Sequence, residues 1–151
     1  MKNLVKKLFT KEDLAAIASA INEAEKTTAG EIRVSIRQSR RWREKKMSIE
    51  EMARQEFHSL GMTKTKDQTG ILIFLLLNEK KFFILADKGI HTKVEQASWN
   101  RIAEEMSSLF SKKDFRQGVI HGVQAVGKVL SQFFPRKAND KNELPNDVHV
   151  H

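Results

Sequence analysis

The stretch Gly70-Ile-Leu-Ile-Phe-Leu-Leu-Leu77 decides the fold. Its apolar run, Ile71 to Leu77, is far shorter than the roughly 20 residues of a membrane helix and suits a strand buried on both faces of a sheet. A strand covered twice needs helices above and below, so the flanking sequence must supply them. Downstream, Asn78-Glu-Lys-Lys81 is a short polar connection to a second apolar run, Phe82-Phe-Ile-Leu-Ala86, and the two runs form a hairpin. Upstream, Ile32, Val34 and Ile36 alternate with Arg33, Ser35 and Arg37, the pattern of a strand with one covered face.

The helices are marked by their ends and their stripes. Thr10 and Asp13 cap a first helix, Phe9 and Leu14 staple it, and Ile17, Ala18, Ile21 and Ala24 continue its apolar face. Ser48 and Glu51 form a capping box for a second, which carries Ile49, Met52, Ala53, Phe57 and Leu60 and stops at a left-handed Gly61. Two more follow, one through Val94, Trp99, Ile102 and Met106, the other from Asp114, capped with Gln117, to Phe133. Gly118 and Gly122 on the last helix suit a close approach to the sheet, and Pro135 ends it.

The order α-β-α-β-β-α-α places a crossover helix between the first two strands, which makes them parallel. The expected architecture is α/β: an α/β/α sandwich with a small mixed sheet of three or four strands and helices on both faces. Residues 1–134 form one domain and 135–151 a polar tail.

Topology then gathers acids. Glu31 opens the first strand and Asp67 precedes the second; the hairpin returns Asp87 to that same end. Neighbouring strands lie about 4.8 Å apart, so three carboxylates distant in sequence can converge. Such a cluster repels itself unless protonated, hydrated or neutralised, and Ca²⁺ accepts carboxylates, carbonyls and water. Zinc is disfavoured, because the chain has no cysteine and no His pair at helical spacing. Each acid also has a plain structural role open to it. Asp67 suits an Asx-turn before Gly70, Asp87 can begin a turn whose positive-φ residue is Gly89, and Glu31 can be a solvated strand end. His58, His91, His121, His149 and His151 have no evident partners in the sequence.

Lys and Arg exceed Asp and Glu by 27 to 19, and Arg37, Arg40, Arg41, Arg43, Lys45 and Lys46 fall close together around Trp42 at the other sheet end. A solvated loop is the plain reading; polyanion or nucleic-acid binding through residues 37–46 is the sharper one, ranked low for want of a recognised motif. No cysteine, no signal-like N-terminus and no membrane span make cytosolic residence the simplest expectation.

The chain resembles the TPM domain family from about Phe9 to Phe134. The resemblance rests on Thr28-Ala-Gly-Glu31-Ile-Arg-Val34, Gly70-Ile-Leu-Ile-Phe74, Ile84-Leu-Ala-Asp87-Lys-Gly89 and Asp114-Phe-Arg-Gln-Gly118. The tail Asp140-Lys-Asn-Glu-Leu-Pro145, with Asp140 and Glu143 as further acids, is similar to an ending in a compact bacterial subgroup. What the resemblance implies is an α/β/α sandwich, Ca²⁺ held by acidic loops and, for plant lumenal members, an acid phosphatase activity. By that analogy Glu31, Asp67 and Asp87 are the metal residues. Thr69 stands where many relatives carry Asn, and Ala86 where Gly is common. The leading expectation is a calcium-binding interaction or scaffold module, whose protein partner and oligomeric state the sequence leaves open. The alternative is a metal-assisted phosphatase, for which no Cys-x₅-Arg loop, Asp-x-Asp motif or Walker loop is present.

Overall fold

The computed structural model describes residues 3–64, 67–136 and 148–150. Helices α1 (Leu4–Leu8) and α2 (Lys11–Glu25) lead to strand β1 (Glu31–Arg37), then α3 (Ile49–Ser59) and β2 (Gly70–Leu76). β3 (Lys81–Ala86), α4 (Lys88–His91), α5 (Gln96–Ser111), α6 (Phe115–Phe133) and β4 (His149–Val150) complete the chain. The sheet order is β3-β2-β1-β4, with β1 parallel to both β2 and β4, and β2 antiparallel to β3. The mixed sheet and two-sided helix cover follow the sequence reading.

Alternation along β2 divides the core. Ile71, Ile73 and Leu75 join the Ile32, Val34 and Ile36 face and the large cluster with α2, α5 and α6. Leu72, Phe74 and Leu76 face Met52, Ala53 and Phe57 of α3 on the other side. Removing such side chains from water contributes about 1.5–3 kcal/mol each, and the central run Ile71 to Leu76 carries no polar side chain. The expected caps of α2 and α3 are both present, with Thr10 accepting from Asp13 and Ser48 from Glu51. Gly61 takes φ +75° just beyond α3.

Four features differ from the sequence reading. β1 is buried along its whole length rather than on one face, because its polar side chains find partners inside: Arg33 meets Glu25 and Glu31, Ser35 meets Glu56, and Arg37 meets Glu44. Gly118 and Gly122 lie against Phe110 and Met106 of α5, where an added Cβ would stand 2.5 Å from the nearest atom in each case, so they serve helix–helix packing and not contact with the sheet. Asp114 precedes α6 without a side-chain capping bond. Finally, His149 and Val150, in the expected polar tail, pair with Ser35 and Ile36 as an edge strand. Asp140 and Glu143 lie outside the described residues.

Candidate functional site

Register carries the ends of three strands to one side of the molecule. Glu31 is level with Gly70, and Ile71 with Ala86. The Glu31 N–H donates to the Thr69 carbonyl at 3.1 Å, and the Asp87 N–H to the Gly70 carbonyl at 2.9 Å. Glu31, Gly70 and Asp87 therefore form a row across β1, β2 and the end of β3, while Asp67 belongs to the turn feeding the middle strand.

The two acidic turns are locked together by backbone. Gly89 N–H donates to the Gln68 carbonyl at 3.0 Å. A Cβ on residue 89 would stand 2.4 Å from the Asp67 carbonyl oxygen and 2.6 Å from that of Gln68, so glycine is required by contact. The positive φ that the sequence suggests for Gly89 belongs instead to Gln68, at 55°, and Gly89 is helical within α4.

Each predicted carboxylate has a distinct setting. Asp87 caps α4, its Oδ1 accepting the Lys88 N–H at 2.7 Å. Its Oδ2 is buried without a hydrogen-bond partner among the described residues. Such an orphan is unusual and costs free energy, since buried polar atoms are almost always partnered. Asp67 is exposed. Glu31 is buried and accepts from Arg33 Nη2 at 3.2 Å. The turns converge, yet among the described residues no three acidic or histidine side chains stand close enough to share one ion. Asp87 Oδ2 and the exposed Asp67 turn offer oxygens of the type that hard cations take; Glu31 already holds a guanidinium.

Sequence reasoning missed the network behind the mouth. Glu25, at the end of α2, accepts the Ile32 N–H at 2.7 Å and Arg33 Nη1 at 3.0 Å through one oxygen, Oε2. It completes the open edge of β1 before β4 begins. One guanidinium thus serves two buried carboxylates. Burial raises the Glu25 carboxyl to about 7, the nearby Glu31 charge adding to the rise while the Ile32 N–H and Arg33 oppose it. The available signal was the neighbouring central strand: a β2 covered on both faces requires β1 to be largely covered too.

The basic segment lies at the far end. Arg37 pairs with buried Glu44, whose carboxyl burial pushes up; the hydrogen bonds from Arg37 and the Arg41 N–H outweigh that and leave it below the usual range. Arg40 grips Glu79 with both Nε and Nη2 and donates to the Glu44 carbonyl, tying the loop to the β2–β3 turn. Trp42 between them is 86% exposed.

The comparisons bear on the family and the fold. Residues 5–129 match the TPM domain. The chain belongs to the TPM domain family. It is similar to the NMR structure of the BA42 protein from the psychrophilic bacterium Bizionia argentinensis, at 35% identity over 95% of each chain and a TM-score of 0.86. The N-terminal domain of a P. gingivalis protein shares the fold at 19% identity, covering 84% of this chain and 79% of that one, with a TM-score of 0.68. So does the N-terminal domain of the cg2496 protein from Corynebacterium glutamicum, at 15% identity, 81% and 74% coverage and a TM-score of 0.61. No curated protein matches the sequence. Among the described residues no helix is long and apolar enough to cross a membrane.

Proposed function

We propose that this chain is a calcium-binding module of TPM type with an interaction or scaffold role, the ion held where the Asp67 and Asp87 turns meet. The buried, unpartnered Oδ2 of Asp87 carries the reading, because a bound cation would remove its desolvation cost. The contact of Gly89 with the Asp67 and Gln68 carbonyls supports it by fixing the turns against each other before any ion arrives. Asp67 and Asp87 act as direct donors. Glu31 stands behind them as a third negative charge and keeps Arg33 as its partner. When bound, Ca²⁺ supplies charge neutralisation and a link between the two turns.

Thermal unfolding in Ca²⁺, Mg²⁺ and chelator tests this reading. An ion that binds only the folded chain stabilises by about 2.7 kcal/mol at a hundred times its Kd. Ca²⁺ is expected to raise the Tm, Mg²⁺ to raise it less, and Asp87→Asn to remove the response. Identical melting in all three solutions would defeat the proposal. Phosphate-ester turnover that requires Ca²⁺ and vanishes in both Asp67→Asn and Asp87→Asn would replace the module with the metal-assisted phosphatase.

A further inference from the structure

The end of the sheet opposite the acidic turns carries a surface that the metal reading does not use. Trp42 is 86% exposed there, whereas Trp99, the other of the two tryptophans, is 2% exposed in the core. The loop that presents Trp42 is anchored: Arg37 and Arg40 are bound to Glu44 and Glu79, and Arg40 also donates to the Met47 carbonyl. Those pairs neutralise the two carboxylates nearest the loop. Farther along, Glu50 is held by Arg54, and Glu51 accepts from the Ser48 N–H.

The basic residues left over are exposed and share this end. Arg43, Lys45 and Lys46 flank Trp42 and have no carboxylate partner among the described residues. Exposed Lys6 and Lys7 of α1 join them, because the Leu4 N–H donates to Gln38 Oε1 at 2.7 Å, just beyond β1. Lys80 does too, since the Asn78 N–H donates to the Gln38 carbonyl at 2.8 Å. Trp42 leaves its indole in water and gains no internal packing; with the surrounding cations it makes the amphipathic set that suits an interface between water and an apolar phase.

We propose that this end docks on an anionic membrane surface, with Trp42 inserted at headgroup level and the surrounding lysines and arginines over the lipid phosphates. An amphipathic indole with a ring of cations is the side-chain set that interfaces select. Single-stranded nucleic acid is the other polyanion, but its binding sites place several aromatics along a groove, and here a lone tryptophan protrudes. Docked this way, the chain presents the Asp67 and Asp87 turns away from the lipid.

The test uses the full chain with vesicles of phosphatidylcholine alone and of phosphatidylcholine with about one-third phosphatidylglycerol. A Trp99→Phe variant leaves Trp42 as the fluorophore, and co-sedimentation of the wild type gives a second readout that does not depend on that variant folding. Expected are a blue shift and co-sedimentation with the anionic vesicles alone, both suppressed by salt. Trp42→Ala should weaken binding by about tenfold, and Arg43→Gln with Lys45→Gln by roughly thirtyfold, about fivefold for each charge. Failure to bind anionic vesicles overturns the proposal. So does binding that Trp42→Ala leaves unchanged, or tighter binding to a single-stranded oligonucleotide than to the vesicles.

Discussion

The backbone N–H of Asp87 donates to the carbonyl of Gly70 across 2.9 Å, one step beyond the last paired residues of β2 and β3. That bond ties the acidic cap of α4 to the start of the central strand. Because Glu31 pairs with Gly70 from the other side, a single glycine links the ends of β1 and β3. The acidic turns are thus held by the sheet itself.

Gly89 is the most sensitive small residue in this arrangement. Gly89→Ala would press a methyl group onto backbone oxygens 2.4 and 2.6 Å away, and overpacking of that kind costs about 1–3 kcal/mol. Chemical denaturation should show that loss together with a weakened Ca²⁺ response. Gly61→Ala is the control: its cost comes from φ +75° alone in open space, about 1–2 kcal/mol, and the Ca²⁺ response should be intact.

The Glu25 carboxyl makes stability depend on pH in an unusual direction. Its folded pKa is raised from 4.5 to about 7, so the folded chain binds more protons than the unfolded chain between those values. The stabilisation is fully present below about 4.5 and is lost as pH rises through about 7. The difference amounts to about 3 kcal/mol. Glu25→Gln retains an oxygen for the Ile32 N–H and should flatten this slope, so that its stability relative to wild type improves from pH 5 to pH 8 by an amount on that order. A difference curve that does not change with pH would rule out Glu25 as the cause.

Arg37 and Glu44 form a pair whose side chains are 3% and 4% exposed. Breaking a buried pair from one side costs about 3–5 kcal/mol, whereas replacing both partners by apolar groups of similar size can be neutral. Arg37→Met alone should therefore lower stability by that amount, and adding Glu44→Leu should recover much of it in a double-mutant cycle. Additive losses would show that the two side chains act independently.

Much of this was legible in the sequence because local and global signals agreed. The run Ile71 to Leu77 reads as a doubly covered strand and the structure shows one over Gly70–Leu76, with Leu77 opening the turn; Thr10, Ser48 and Gly61 announced helix ends that the structure shows. Topology alone brought the Glu31, Asp67 and Asp87 positions to one sheet end. Side-chain pairing was not legible, since it depends on distances the sequence does not contain. Arg33, Ser35 and Arg37 look solvent-facing by period, yet each is buried because an acid from another segment reaches it. For the same reason Glu31 appeared as a free carboxylate when it is held by Arg33. The edge strand at His149 carries too few residues to show a period, and its partner β1 supplies the order.

The central claim is tested most directly by titrating Ca²⁺ into isotopically labelled protein and following backbone amide shifts. The account predicts saturable changes at Asp67 to Gly70 and Asp87 to Gly89, smaller ones at Glu31 and Ile32, and none at Arg41 to Lys46 on the opposite end. Loss of those changes in Asp87→Asn, with the rest of the spectrum intact, would complete the case. Shifts scattered over the surface without saturation, or amides at residues 67–70 and 87–89 that do not move, would contradict it.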